Sequence, residues 1–440
     1  MNIKKFFELA KEKGIEASEV YSSKKSSLSF ELFHSEVSSY TASESFSLSA
    51  RGIYKNKFGV VKTEKVDKKT PAFLVEEIIA NAKVIEKVEP ALLFKGSEKY
   101  KKKNLYNPEI EKISIDQKMK NLYEIEAKLR KFDPRVIEVQ TVQYEEEAVE
   151  VNLANSYGLN LKSKSNYFVY VAVVVVKENE EVKTGYKVLL SNDPNELNID
   201  KFVEEVVLDA TRKLGGSQCE SKKYPVVLNQ KSAADLLRAY LQSASAEEVQ
   251  KHSSLFIGKL NQKVASKKIT ILEEPLRKNV FFRYFDDEGV ATYNKKIVDK
   301  GVLTTYLHNL ETAHKANTTT TGNGYRAGSK IGVSYVNPLI KPGKVSEEEM
   351  INNIQEGVYI SSIAGLHAGL NPQSGNFSLQ AEGFMIREGK LAEPLSLITV
   401  AGNLLDLFMD VSEVANNLEL QLSGVTSPSL LVKSLAVSGK

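Results

Sequence analysis

Ile269-Thr-Ile-Leu-Glu-Glu-Pro275, Phe285-Asp-Asp-Glu-Gly-Val290, Asn294-Lys-Lys-Ile-Val-Asp-Lys-Gly-Val-Leu303 and Thr318-Thr-Thr-Thr-Gly-Asn-Gly324 follow one another along a single stretch of this chain. Apolar and polar residues alternate from Ile269 to Leu272 and again around Ile297 and Leu303. Period-two alternation in short runs, broken by Gly, Pro, Asn and Asp, predicts β-strands joined by tight turns. Asp299-Lys-Gly301 is a hairpin signal, because glycine reaches positive φ without a steric penalty. The acidic triplet Asp286–Glu288, closed by Gly289, reads as a turn that presents carboxylates, and Thr321-Gly322-Asn323-Gly324 as a flexible loop rich in hydroxyls and backbone donors. Two polar loops of this kind on a β scaffold could line a cleft.

Working outward, 440 residues exceed one ordinary core, and two domains are expected. The boundary is placed in the Gly-, Ser-, charge- and Pro-bearing segment from Gly215 to Pro225, giving domains 1–218 and 219–440. Apolar content of 42% and charged content of 26% are those of a soluble globular protein. A formal charge of +3 gives no electrostatic case for nucleic acid or an anionic membrane surface. The lone cysteine, Cys219, excludes an intramolecular disulfide and a Cys-rich zinc site, and points to a reducing compartment. The opening residues carry no signal-peptide pattern, and the run Phe168–Val176 is about half the length a membrane-spanning helix needs. The cytoplasm is the expected location.

Helices are predicted for Ile3–Lys13, Pro71–Ile85, Ile113–Phe132, Ile199–Leu214, Lys231–Tyr240 and Leu404–Val414 from their apolar spacing. Glu19–Thr63 reads as several short antiparallel strands with a turn at Asn56–Gly59. Long strands are expected at 135–151, 159–176 and 182–190, with Val171–Val176 buried on both faces and Glu145-Glu146-Glu147 as a solvated bend between strands. Beyond Ser243 the pattern is mostly β: 268–273, 280–285, 297–306, 358–364, 378–387, 396–401 and a closing strand at 430–437. Lys95–Asn104, with Lys101-Lys102-Lys103 inside it, reads as a solvated linker; a basic run of this kind can also bind phosphate. The fold class is α+β: an N-terminal α/β domain of antiparallel strands and helices, and a C-terminal, mostly antiparallel β domain.

No motif names a reaction. The five histidines, His34, His252, His308, His314 and His367, form neither HExxH nor HxH. The chain has no GxSxG elbow, no phosphate-binding P-loop and no dinucleotide fingerprint. Cys219 falls in a polar linker with no base in view. Asp286, Asp287 and Glu288 are the strongest carboxylate cluster. They could bind a cation or orient a water, and a turn that simply prefers Asp and Gly is the commoner source of such a cluster. No catalytic residue and no metal ligand is assigned; Asp286, Asp287, Gly289, Thr321, Gly322 and Gly324 are the candidate walls of a substrate cleft.

Several blocks resemble the TldD/PmbA family: Gly258–Ser266, Ile269-Thr-Ile271, Phe285–Val290, Gly301-Val-Leu303, Thr321-Gly-Asn323, Gly375-Asn-Phe-Ser378, Glu382-Gly-Phe384, Glu388-Gly-Lys390 and Ala401-Gly-Asn-Leu404. Weaker likeness lies at Ala17–Val20, Arg51-Gly52 and Phe58-Gly-Val60. The resemblance implies a cytoplasmic two-subunit metalloprotease that trims peptides and unstructured proteins. Its TldD branch carries HExxxH before the Gly-Lys block and a distant cysteine as a further zinc ligand. Here the corresponding region reads Leu241-Gln-Ser-Ala-Ser-Ala-Glu-Glu-Val-Gln-Lys-His252, and Leu422-Ser-Gly424 stands where Cys-Gly is expected. The chain is thus similar to the PmbA branch, also called TldE, which lacks the metal site. The resemblance implies no cofactor in this chain, zinc in an HExxxH partner, a heterodimer with that partner or a homodimer without it, and peptide substrates, with neither a membrane nor direct nucleic-acid contact. Two alternatives stand beside it: a self-sufficient hydrolase using Glu247, Glu248 or His252, and a binding module that modulates DNA gyrase.

Overall fold

The computed structural model describes residues 1–86, 91–328 and 330–440. Its N-terminal half is one antiparallel sheet of six strands: β1 (Ala17–Phe33), β2 (Glu36–Tyr54), β3 (Lys57–Thr63), β4 (Val136–Asn155), β5 (Asn160–Glu178) and β6 (Glu181–Ser191), in the order β3-β2-β1-β4-β5-β6. These strands are long, not the short ones expected before Thr63, because β1 and β2 stay in register over nearly their whole length. The turn between β2 and β3 sits at Lys55–Asn56, one residue ahead of the expected Asn56–Gly59, since Lys57 already pairs with Tyr54.

Strand side chains alternate between the two faces. Even positions of β1, such as Val20, Phe30 and Leu32, face the helices. Around Ile3–Glu12 and Thr70–Val84 they bury Phe6, Leu74 and Ile78; around Ile115–Phe132 and Ile199–Thr211 they bury Leu122, Ile125, Val203 and Val206. With helices on one face only, β5 is not doubly buried: Ala172, Val174 and Val176 are buried, whereas Val171, Val173 and Val175 are half-buried. Glu145-Glu146-Glu147 lies inside β4 and is not a bend. The strand tolerates the charges because Lys118 and the Tyr144 hydroxyl satisfy Glu146, at 2.6 Å and 2.5 Å, and Lys25 pairs with Glu147.

The C-terminal half holds two further six-stranded sheets. One runs Lys390–Asn403, Asn376–Arg387, Glu356–Ala364, Lys222–Leu228, Leu430–Ser438 and Val411–Val414, and Leu430–Ser438 also pairs with Lys390–Asn403, closing a ring. Its pairing is antiparallel apart from the parallel contact of Glu356–Ala364 with Lys222–Leu228. The second sheet contains Ile271–Glu273, Lys295–Asp299 and Val302–Leu303; the last two form the hairpin expected at Asp299-Lys-Gly301. Helix Gln230–Leu241 packs between the sheets through Tyr240, whose ring stacks on Phe408 at 4.2 Å.

Three other expectations are corrected. Val280–Phe285 is turns and irregular chain, because its aromatics pack outward from no ladder but into the joint between the halves. Leu404–Val414 is helical only to Met409 and then becomes a strand. Cys219 lies in irregular chain ahead of Lys222–Leu228, but its side chain is not among polar groups: it is buried in the C-terminal core. Among the described residues no helix is long and apolar enough to cross a membrane.

Candidate functional site

The face of the N-terminal sheet that carries no helix receives the C-terminal half. Tyr21, Leu153 and Leu161 of the sheet pack with Tyr284 and Phe285 in a small buried cluster. Tyr284 donates its hydroxyl to the Lys162 carbonyl, and the linker joins in, Tyr100 donating to the Gly289 carbonyl at 2.7 Å. Beside this apolar seam lies an ionic one.

Glu19 of β1 sits directly opposite Arg51 of β2, and the register makes the pair bidentate, at 2.9 Å and 3.2 Å. Glu19 also accepts a hydrogen bond from Arg326 at 2.8 Å. Arg326 in turn donates from its guanidinium to the Asp287 carbonyl at 2.9 Å and from its backbone N–H to the Asp287 carboxylate at 2.8 Å, and it lies over the Tyr21 ring, 4.5 Å from the centroid. Arg283 pairs with the same Asp287 carboxylate. Arg326 therefore ties the first strand of the chain to the acidic turn.

That turn is built as its sequence dictates. Asp286 N–H donates to Val290, Gly289 N–H donates back to Asp286, and Gly289 takes φ +84°, where a side chain is disfavoured. One Asp286 oxygen accepts from the Glu288 and Val290 amides, the other from Gly324 N–H at 2.8 Å. Glu288 accepts from Leu310 N–H at 2.8 Å. The three acids are only 1–3% exposed. Burial pushes Asp286 up to about 6, against the hydrogen bonds from Gly324 and Val290. Burial first, and the neighbouring Asp286 charge second, push Glu288 up to about 8, with Arg51 opposing. Three guanidinium groups, of Arg51, Arg283 and Arg326, face four carboxyls, of Glu19, Asp286, Asp287 and Glu288. A protonated Glu288 leaves that set balanced.

The Thr321–Gly324 loop is a hub. Thr321 accepts from His308 N–H at 2.6 Å and donates to the Asn323 side-chain oxygen at 2.7 Å. Asn323 donates to Glu273 at 2.6 Å and to the Ser334 carbonyl at 2.9 Å, and Glu273, fully buried, is neutralised by Lys295 at 2.5 Å. Gly324 is where the loop meets the acidic turn: a Cβ there would lie 2.8 Å from Glu288 and 3.0 Å from an Asp286 oxygen. The structure thus brings Asp286, Asp287, Gly289, Thr321, Gly322 and Gly324 together, all of them buried. Sequence reading missed Glu19, Arg51, Arg283 and Arg326. The available signal was a charged residue in the middle of an otherwise apolar strand face, as at Ala17, Glu19, Tyr21.

The region corresponding to HExxxH is the short helix Ala246–Gln250, anchored by Ala246 N–H to the Leu307 carbonyl. Glu247 pairs with Lys251 at 2.7 Å and Glu248 accepts from Ser253 at 2.6 Å. His308, whose Nδ1 is buried, has its pKa lowered by burial, against a backbone hydrogen bond with Thr312. Among the described residues no three His, Cys, Asp or Glu side chains are placed to hold a metal. The acids of the turn are committed to amides and guanidinium groups, so the donors present do not fit a zinc centre.

The comparisons agree with this architecture. Residues 221–439 match the PmbA/TldA metallopeptidase C-terminal domain, and residues 108–214 its central domain. A metalloprotease PmbA homolog of Buchnera aphidicola is 26% identical over 287 residues, which are 65% of this chain and 62% of that protein. A metalloprotease of Methanocaldococcus jannaschii is 32% identical over 217 residues, 48% of each chain. These matches span less than two thirds of either relative. A Thermotoga maritima crystal structure, described as a candidate modulator of a DNA gyrase, superposes with a TM-score of 0.93 at 30% identity, covering 99% of both chains. TldE from Thermococcus kodakarensis shares the fold, with a TM-score of 0.91 at 21% identity. Sequence blocks, domain matches and full-length superposition converge, and the chain belongs to the PmbA/TldD family.

Proposed function

We propose that this chain is the non-metal subunit of a peptide-cleaving PmbA/TldD pair, contributing structure and part of the channel that admits substrate. The observation that carries the reading is the donor set on and around helix Ala246–Gln250. Glu247 and Glu248 stand there with no flanking pair of histidines, and their oxygens are engaged by Lys251, Val333 N–H and Ser253. A hydrolytic zinc site needs three protein ligands and an open position for water. In this reading zinc belongs to an HExxxH partner, and the two similar folds pair about an approximate two-fold axis, as a homodimer when that partner is missing. The Asp286–Gly289 turn and the Thr321–Gly324 loop support the channel wall from within.

The test is a side-by-side peptide-cleavage assay of this chain, an HExxxH family member from the same genome, and their mixture, with chelator controls. The mixture is expected to outperform the partner alone, and this chain alone to be inactive. Robust chelator-sensitive cleavage by this chain alone sinks the reading, as does a mixture no more active than the partner.

A further inference from the structure

A small cleft of about 50 Å³ opens at the joint between the halves, beside the acidic turn. Its floor is β5, where Ser163 and Ser165 project on one face. The opposite wall is the irregular segment Asn279–Phe285, and the linker closes one end through Lys103 and Leu105. An amide ladder holds that end: Asn107 and Asn166 exchange hydrogen bonds at 2.8 Å, Asn107 reaches the Asn192 carbonyl at 2.6 Å, and Asn192 donates to the Leu105 carbonyl at 2.9 Å.

The cleft is one-sided in charge. Lys103, Lys164 and Arg283 line it, and among the described residues no carboxylate does. Arg283 spends one end of its fork on Asp287. Lys164 lies over the Tyr106 ring at 3.6 Å, with Glu111 and Glu150 outside the cleft as its nearest acids. Lys278 lies near Lys103, and its charge helps to lower the Lys103 pKa. Phe282 and Tyr284 supply an apolar wall.

We propose that this cleft is a subsite for the C-terminal carboxylate of an extended peptide. Cations suit a carboxylate, and the end of the Arg283 guanidinium not spent on Asp287 can donate to it. The strand hydroxyls of Ser163 and Ser165 match a ligand that presents polar backbone, and the aromatic wall takes a side chain next to its terminus. The basic run Lys101–Lys103 acquires a role at the cleft through its last member.

The inference rests on the peptide-processing reading but is tested without cleavage. Binding of a fluorescent N-acylated Ala-Ala-Phe-Ala-Ala peptide to the full chain is followed by anisotropy, with three competitors: its C-terminal amide, an amide carrying an internal Asp, and inorganic phosphate. The free acid is expected to bind about fivefold or more tightly than the amide, with salt weakening it. Reversing two exposed cations in Lys103→Glu/Lys164→Glu is expected to weaken the free acid about tenfold and leave the amide unchanged. Lys103→Glu/Lys278→Glu repeats the test without disturbing the Tyr106 contact, and melting curves confirm that each variant is folded. Equal binding of acid and amide, no binding of either, insensitivity to both double variants, or preference for the internal Asp or phosphate would each overturn the assignment. Failure here leaves the cleavage assay of the mixed subunits untouched, and failure of that assay leaves this binding measurement standing.

Discussion

Replacing Glu288 by Gln should reverse part of the protein's loss of stability in alkali. Glu288 is raised from 4.5 to about 8 inside the structure, mainly by burial and then by Asp286. Between those two pH values the folded chain keeps a proton that the unfolded chain has released. The folded state binds more protons there, so unfolding free energy falls as pH rises. The contribution of the neutral carboxyl is fully present below about pH 4.5 and gone once pH passes about 8. At 1.36 kcal/mol per pH unit this amounts to a few kcal/mol, shared with Asp286, whose own rise to about 6 acts in the same direction. Gln is neutral at every pH and keeps an oxygen to accept the Leu310 N–H that Glu288 accepts now, at 2.8 Å. Melting midpoints of the two proteins should therefore nearly coincide at pH 5 and separate by several degrees at pH 9, with Glu288→Gln the more stable. A difference independent of pH, or a variant that falls further behind as pH rises, would refute the reasoning that Glu288 is held neutral in a balanced cluster.

Arg326→Met keeps much of the side-chain volume but removes the cation shared by Glu19 and the Asp287 turn; leaving those groups short of a partner should cost about 3–5 kcal/mol, read as a lower melting midpoint and faster proteolysis at the joint. Gly324→Ala should cost about 1–3 kcal/mol, because its Cβ has no room between Glu288 and Asp286; thermal melts check it, and a neutral outcome contradicts the close approach. Joint replacement of Gly322 and Gly324 by Val is therefore expected to unfold the chain rather than merely to slow cleavage, since Gly322 also takes φ +72° beside the Ala291 carbonyl. Elemental analysis of the purified chain is expected to find no tightly held zinc; about one per chain, lost on mutating His252 or Glu248, would contradict the donor-set argument.

What the sequence made legible, and what it did not, follows from the range of the forces involved. Helix Ile115–Phe132 was readable because its stripe of Leu122, Ile125 and Leu129 and its Ser114 cap are local. The hairpin at Asp299–Gly301 was readable because turn chemistry is local as well. The Glu145–Glu147 run was misread as a bend, since the pairing on both sides and the cations Lys118 and Lys25 that meet its charges come from other elements. Val280–Phe285 has the composition of a strand, yet Phe282, Tyr284 and Phe285 are spent on the seam against β4 and β5. The site behaved likewise: the acidic turn announced itself through Gly289, whereas, Arg283 apart, the cations that neutralise it sit in β2 and beyond the hub loop. No local pattern could show that Asp286, Asp287 and Glu288 point inward.

The joint between the halves explains why the acids and the cleft should be considered together. Arg283 is common to both: it pairs with Asp287 on one side and lines the cleft on the other. Two residues on, Phe285 enters the apolar seam, and the next residue begins the acidic turn. A rigid seam therefore fixes the position of Arg283 without needing Arg283 to fix the seam, because Arg326, Tyr100 and Tyr284 hold the halves independently. An anion drawn to Arg283 competes with Asp287 for one guanidinium, and because Asp287 is buried it meets a pair that solvent screens only weakly. The buried balance of Glu19, Arg51 and Glu288 stays intact while the cleft fills and empties. With Glu19, Arg51 and Arg326 holding the placement and Arg283 shared between Asp287 and the cleft, one joint serves architecture and ligand binding at once.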